Sequence, residues 1–436
     1  MKEIYFLIIL ILKCLSIKLP IYTTPHTTQT DISVKLSPYL SKLINKLPTV
    51  NLCIGNPIQC FDLSIDLTLS YTILQDNEIE YSIFNKNYNK NTSITYKSNG
   101  KSFPYFFQNH YITTNIVEDE ITIKLIKDNN ENNNIKITKH FPFCLIKTDK
   151  KLEKVLIDGF IGLIRNYTST NENYNQSMNL INYLYESKIK EMNTKSFSLY
   201  YKSDNNGNIK GGEFTFGENY TYNKLCISKQ IDSFTSKENE WFCDVKFISI
   251  NDKKLKYENR IYFHSLSPLI KMPRDPGMFI LINMMKKSNE ICEIISEDNT
   301  NNFIICPINY DIKIFDEIQI YFDDFNYYVI RPEYLFERIK FNGKDIYIFK
   351  IITFEMEGTE LIIGLPGYIE NKVVFDMNNN KIGFIPLFNS RKEELYIKIK
   401  RLFIIIISLC ILGIIINLFY INYEPSDFII YKKVNN

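Results

Sequence analysis

Between Thr49 and Leu74 the chain reads TVNLCIGNPIQCFDLSIDLTLSYTIL, and no other stretch limits the fold as tightly. Apolar residues alternate with polar ones through Val50, Leu52 and Ile54, and again through Phe61, Leu63 and Ile65. A period of two buries one face of each run, which is the pattern of half-buried strands. Gly55-Asn56-Pro57 lies between the runs and supplies turn residues, so the pair reads as a β-hairpin. Its second strand ends on a single carboxylate, Asp66. Cys53 and Cys60 flank the turn, where hairpin pairing sets them opposite each other as an expected disulfide.

Similar patterns recur along the chain. Residues 77–93 are polar and rich in Asn, a loop by composition; alternation resumes at Ser93–Tyr96, and Lys97–Gly100 reads as a turn. DNNENNN at 128–134 reads as another exposed turn. Ile157–Leu163 is a buried strand pattern whose Gly162 allows close backbone approach. Met178, Ile181, Leu184, Tyr185, Ile189 and Met192 fall at helical spacing. Ser196–Tyr201 and Gly211–Gly217 form a further hairpin around a turn at Asp204–Gly207. In the second half, Trp241 sits in a strand pattern, Glu240–Val245, and Ile261–Phe263 leads into His264-Ser265-Leu266-Ser267 and on to Pro273. Asp275-Pro276-Gly277 opens an expected helix carrying Met278, Leu281 and Met285. Glu360–Leu365, Val373–Asp376 and Lys381–Phe384 close the series, the last two as a hairpin.

Taken in order, these segments resemble the pepsin-like aspartic proteases over residues 48–388. The hairpin turn matches that family's Ile-Gly-Thr-Pro. Asp66-Leu67-Thr68-Leu69 stands at its Asp-Thr-Gly-Ser, and Ile157–Leu163 and Glu360–Leu365 match its two hydrophobic-hydrophobic-Gly segments. The resemblance implies an all-β, bilobal fold with a few short helices, a first lobe over 48–217 and a second over 218–390. It also implies that Tyr96 is the flap tyrosine that closes over substrate, and that Asp66 is the first catalytic carboxylate. The second loop departs: His264 stands where the second Asp belongs, and Thr68 and Leu266 replace the loop glycines. Aspartic proteolysis needs two carboxylates sharing one proton about a water. An imidazole beside Asp66 is expected to form an ion pair with it and disable the dyad. The expected protein is therefore a pseudoprotease that binds a peptide or protein in its cleft, with an active endopeptidase of atypical dyad, or a structural surface protein, as alternatives.

Charge and cysteine usage narrow the setting. With 45% hydrophobic residues the chain can bury one large core or two medium ones, and a net charge of +2 recommends no nucleic acid. Four scattered histidines and no Cys-x-x-Cys argue against a zinc site, and no metal or cofactor is expected. Nine cysteines suit an oxidising compartment. Cys14 and Cys410 lie in apolar runs, Cys292 and Cys306 bound a polar loop as a second expected disulfide, and the pairing of Cys144, Cys226 and Cys243 is open.

Residues 1–17 read as a secretory signal and 18–47 as a propeptide or linker. Leu402–Ile421 is an apolar run interrupted only by Ser408, Gly413 and Asn417, long enough for a transmembrane helix, with a basic juxtamembrane stretch at 391–401 and a cytoplasmic tail at 422–436. A single-pass type I protein of the secretory pathway or cell surface follows, although Arg391, Lys392, Lys398, Lys400 and Arg401 lie on the lumenal side, against the positive-inside tendency. Asn91, Asn166, Asn175 and Asn219 each begin an Asn-x-Ser/Thr glycosylation triplet in the expected lumenal body.

Overall fold

The computed structural model describes residues 17–22, 47–79, 81–107, 110–126, 132–147, 154–164, 179–189, 192–204, 208–220, 224–227, 240–297, 301–341, 343–354, 360–387 and 391–422. The chain divides into two compact units, Met1–Leu387 and Phe388–Asn436.

In the first unit, the alternating runs become strands of two large mixed sheets. One sheet of thirteen strands runs from Lys224–Ile227 through Lys381–Pro386, Asn371–Asp376, Ser196–Ser203, Ile209–Phe216 and Ile17–Tyr22. It continues through Thr49–Ile54, Gln59–Asp66, Gly159–Gly162, Ile73–Gln75, Asn132–Lys147, His110–Ile126 and Lys97–Phe107. The other, of eleven strands, carries Phe242–Ile250, Lys253–Phe263, Leu361–Ile363, Ile270–Pro273 and Ile351–Phe354 at its centre. Three strands beyond residue 217, Lys224–Ile227, Asn371–Asp376 and Lys381–Pro386, thus lie in the first sheet, so the expected boundary at 217/218 divides the sequence but not the sheets. The core that results is mainly aliphatic, with an aromatic centre in which Phe197, Trp241 and Phe375 are in mutual ring contact and Phe263 packs against Phe375.

The same local unit is built twice. Gln59–Asp66 pairs in parallel with Gly159–Gly162, which pairs antiparallel with Ile73–Gln75. Lys253–Phe263 pairs in parallel with Leu361–Ile363, which pairs antiparallel with Ile270–Pro273. Each crossing has room for glycine alone: a Cβ on Gly162 would lie 2.4 Å from the Tyr71 carbonyl oxygen, and one on Gly364 2.2 Å from that of Leu269. The crossings fix where the two loops that begin at Asp66 and His264 emerge.

Several sequence expectations need revision. Ile17–Tyr22, split between the expected signal and the propeptide or linker, is a strand paired with Ile209–Phe216 and Thr49–Ile54. Residues 1–16 and 23–46, and the tail beyond Asn422, lie outside the described residues. Asn99 and Gly100 do not turn the chain. The Asn99 side chain accepts the Lys101 N–H, Gly100 takes φ +71°, and the strand Lys97–Phe107 bulges and runs on. Asn132–Asn134, expected within a turn, belong to a strand. The first helix, α1, spans only Leu180–Glu186: Asn179 caps its start, accepting the Ile181 N–H, and Lys188 at φ +53° stops it short of Ile189 and Met192. The second, α2, spans Arg274–Lys287 as the Pro276 signal suggests, with Leu281 buried and Met278 and Met285 half-buried.

Cys53–Cys60 and Cys292–Cys306 are both disulfides, as expected, and Cys226–Cys243 is a third. Cys144 is a free, buried thiol that burial holds well above its ordinary pKa, which makes it inert.

The second unit contains the helix α3, Arg391–Asn422, which joins the basic stretch and the apolar run into one element. Its side chains are described only at 399–400 and 403–416, and all of these are exposed. Among the described residues no helix is long and apolar enough to cross a membrane.

Candidate active site

Asp66 ends its strand in register with Gly162, and its carbonyl accepts the Leu163 N–H at 2.8 Å. His264 follows directly on a strand whose last residue, Phe263, pairs with Ile363, and the His264 N–H bonds the Ile363 carbonyl at 2.9 Å. The loops then run in parallel fashion: Ile164 N–H bonds the Leu69 carbonyl at 2.8 Å, and Leu365 N–H bonds that of Ser267 at 2.7 Å. Leu69 and Ser267 are therefore equivalent positions, and counting back makes Asp66 and His264 equivalent, with Leu67 opposite Ser265 and Thr68 opposite Leu266.

The Asp66 side chain is only 5% exposed. Its Oδ1 accepts the Thr68 N–H at 2.8 Å and the Thr68 hydroxyl at 2.6 Å. Thr68, in place of the loop glycine, thus supplies two donors to Asp66. Burial pushes the Asp66 pKa up despite these bonds. They and the nearby His264 pull it down, while Glu240 adds to the rise.

Glu240 was not among the residues singled out from sequence, and it reshapes the centre. Its Oε2 lies 3.0 Å from His264 Nε2, with side-chain exposures of 18% and 25%. Asp66 and His264 thus come together, but the imidazole is paired with a different acid. The backbone at Glu240 is placed by its neighbour. The Trp241 indole N–H donates to the Leu163 carbonyl at 2.9 Å, and the Trp241 carbonyl accepts the Phe263 N–H, also at 2.9 Å. One residue therefore ties the strand beneath Asp66 to the strand before His264. The only sequence signal was Trp241 itself, a lone tryptophan whose preceding residue is acidic.

Ser265 was also missed. Its hydroxyl donates to the Ile65 carbonyl at 2.5 Å and accepts the Leu67 N–H at 3.2 Å, bridging the two loops across the centre. The equivalent Leu67 has no hydroxyl to return the bridge, so the loops are laced from one side only.

Tyr96 does not occupy a flap tip. It lies before the strand Lys97–Phe107 and packs on Tyr88, 6.3 Å between ring centroids. The last described pair of that hairpin is Phe107 with His110, Phe107 being eleven residues beyond Tyr96, and residues 108–109 lie outside the described residues. On that strand, Tyr105 is the tyrosine that senses Asp66: burial and the Asp66 charge raise its phenol pKa, keeping it protonated.

Of the glycosylation triplets, Asn91 and Asn219 are exposed, and Asn91 Nδ2 donates to Glu78 at 3.1 Å. Asn166 and Asn175 lie outside the described residues. Among the described residues no cluster of three or more His, Cys, Asp or Glu side chains is arranged to hold a metal ion.

No curated protein matches the chain in sequence. The family model described as eukaryotic aspartyl protease matches residues 49–387, which takes in both loops, both glycine crossings and the closing hairpin. The doubled strand-and-glycine unit that brings Asp66 and His264 to equivalent positions is thus accompanied by a match over most of the chain, which belongs to the eukaryotic aspartyl protease family.

Proposed function

We propose that this family member is a membrane-anchored pseudoprotease, which holds a peptide or protein segment between the flap hairpin and the two loops without hydrolysing it. One observation carries the reading: His264 stands at the position equivalent to Asp66, and its Nε2 is engaged by Glu240 at 3.0 Å. Two carboxylates near 3 Å apart share a proton, so one acts as acid and its twin as base toward a single water. An imidazole drawn aside by another acid leaves Asp66 without that twin. Loss of one acid–base partner costs about 10²–10⁴ in rate, roughly 3–5 kcal/mol of barrier. The fold tolerates the loss, because its cores come from strand alternation and not from the dyad.

The anchor rests on the apolar run 402–421 inside α3, where Ile404–Ile407, Leu409, Ile411, Leu412 and Ile414–Ile416 are exposed. A helix that shows so much aliphatic surface calls for an apolar surrounding. Three disulfides fit the secretory pathway, with the body lumenal and any leader ending before the strand Ile17–Tyr22. In a host that makes N-glycans, an endoglycosidase-sensitive mass at Asn91 or Asn219 is expected, together with protection of the body from protease in intact microsomes. Digestion of the body there would reverse the topology.

A working endopeptidase is the second reading, favoured by the two Thr68 donors that keep Asp66 aimed. The deciding experiment incubates residues 17–387 with a degenerate peptide library across about pH 3–8, alongside Asp66→Ala and His264→Asp. Equal background cleavage in the wild type and Asp66→Ala is expected. Cleavage that disappears in Asp66→Ala would establish the second reading. His264→Asp alone should recover little, since the new carboxylate would face Glu240 and Leu67 would still return no bridge. If no library peptide is even retained, the protein is a structural surface protein and peptide capture is wrong.

A further inference from the structure

We propose that Glu240 is a positioning residue: by accepting the Nε2–H of His264 it fixes the imidazole in one tautomer and presents Nδ1 as a hydrogen-bond acceptor at the centre, beside Asp66. The inference concerns the same site as the proposed function and rests on that reading for its use, but its geometry stands apart from whether a peptide binds. Three observations carry it. Glu240 Oε2 is within hydrogen-bond distance of Nε2, and an ionised carboxylate can only accept, so the proton of the neutral ring sits on Nε2 and the lone pair on Nδ1. Among the described residues nothing hydrogen-bonds Nδ1, which leaves it for solvent or a ligand. The backbone at Glu240 is placed by its neighbour, because Trp241 is hydrogen-bonded to both Leu163 and Phe263.

The titratable groups around His264 agree with this division. Glu240 lies on the segment before the strand Phe242–Ile250, Asp66 at the end of the first lobe's strand, and Tyr262 one turn of the pleat away with its ring 6.5 Å from the imidazole. Tyr105 faces Asp66 from the hairpin. Asp66 has its Oδ1 committed to Thr68, so the imidazole does not need it as a partner. A two-carboxylate centre offers oxygens to its ligand. Here the second position offers an imidazole lone pair, which selects a ligand group that donates a hydrogen bond.

The test reads the proton directly by proton–nitrogen correlation NMR of the full chain in detergent micelles, at a pH where the ring is neutral. The chain has four histidines, so His264→Phe assigns the signal by its loss. The expected result is a slowly exchanging, downfield ring proton correlated with Nε2 of His264. Glu240→Ala should abolish it, Glu240→Gln should retain it because the amide oxygen still accepts, and Asp66→Asn should leave it in place. A proton on Nδ1 in the wild type, a signal that survives Glu240→Ala, or one lost on Asp66→Asn overturns the assignment. The wild-type spectrum needs no variant to fold and no ligand to bind. A protein that shows the Nε2 signal yet retains no peptide would count against capture alone.

Discussion

The first loop, Asp66-Leu67-Thr68-Leu69, and the second, His264-Ser265-Leu266-Ser267, leave the same scaffold at equivalent positions and carry complementary groups. The first keeps its carboxylate and, in Thr68, two donors to orient it, but its Leu67 cannot bridge to the other loop. The second carries the bridge in Ser265 and presents an imidazole tied to Glu240. The glycine crossings and strand pairs are present on both sides, while the hydroxyl bridge stands on one and the carboxylate on the other. The scaffold and the chemistry are thus separable, because the glycine crossings and strand pairs that place the loops involve none of the side chains that would act on substrate.

The crossings are where that comparison can be broken most severely. Gly162→Ala and Gly364→Ala each drive a Cβ to within 2.4 Å of a backbone carbonyl oxygen, which cannot rotate away. Either should destabilise the protein by about 3 kcal/mol, read as a drop in the denaturant midpoint at unchanged slope. If the two lobes are equivalent in support, the two variants fall together. A silent substitution at one crossing would show that lobe to be looser than its twin.

The bridge sharpens the comparison at a smaller scale. Ser265→Ala leaves the Leu67 N–H and the Ile65 carbonyl without their shared partner in a buried place, a loss of about 1–3 kcal/mol. At the equivalent position Leu67 is fully buried. Leu67→Ser should therefore not simply restore symmetry. It adds a hydroxyl but removes a packed side chain, with a net cost near 2 kcal/mol expected from lost apolar volume. Equal stability of Leu67→Ser and wild type would mean that a returned bridge offsets the cavity in full. Peptide retention by these variants separates support from recognition, since neither residue contributes a group to the Asp66, His264 and Glu240 cluster.

Strand alternation made the hairpin through Asp66 and the segments ending on Gly162 and Gly364 readable from sequence, because period-two burial and a glycine at a backbone crossing are local signals. What escaped reading depended on distance or on competing local chemistry. The Ser265 bridge joins residues about two hundred positions apart, and Glu240 is an ordinary acid until Trp241 is seen to be pinned. Tyr96 was a misplaced flap because Asn99-Gly100 carries the signature of a turn, yet the alternating residues after it continue the strand, and pairing with 110–118 outweighed the local preference. Ile17–Tyr22 was hidden by its neighbours: an apolar strand that abuts an apolar N-terminal run has no boundary in composition alone.

The smallest expected effect concerns the proton on Asp66, and it tests whether the surviving carboxylate is a strained remnant or a well-supported acid. Burial raises its pKa in the folded protein above the unfolded value of about 3.9, even with the Thr68 bonds and His264 opposing. The folded state therefore binds the proton more tightly than the unfolded chain does. Between the unfolded value and the raised native one, the folded state holds more protons, so stability falls as pH rises through that window. Below it both states are protonated and the contribution is fully present; above it the contribution is gone. Asp66→Asn, which cannot ionise, should remove this part of the slope, and the difference in unfolding free energy between the two proteins should drift in favour of Asn as pH climbs. Thr68→Val removes one of the two donors that stabilise the charged form, so it should steepen the wild-type fall and extend it to higher pH. A wild type that instead gains stability relative to Asp66→Asn across the same window would mean that Thr68 and His264 outweigh burial. The first loop would then hold a carboxylate prepared to stay ionised, and the contrast with the second loop would lie only in the missing twin.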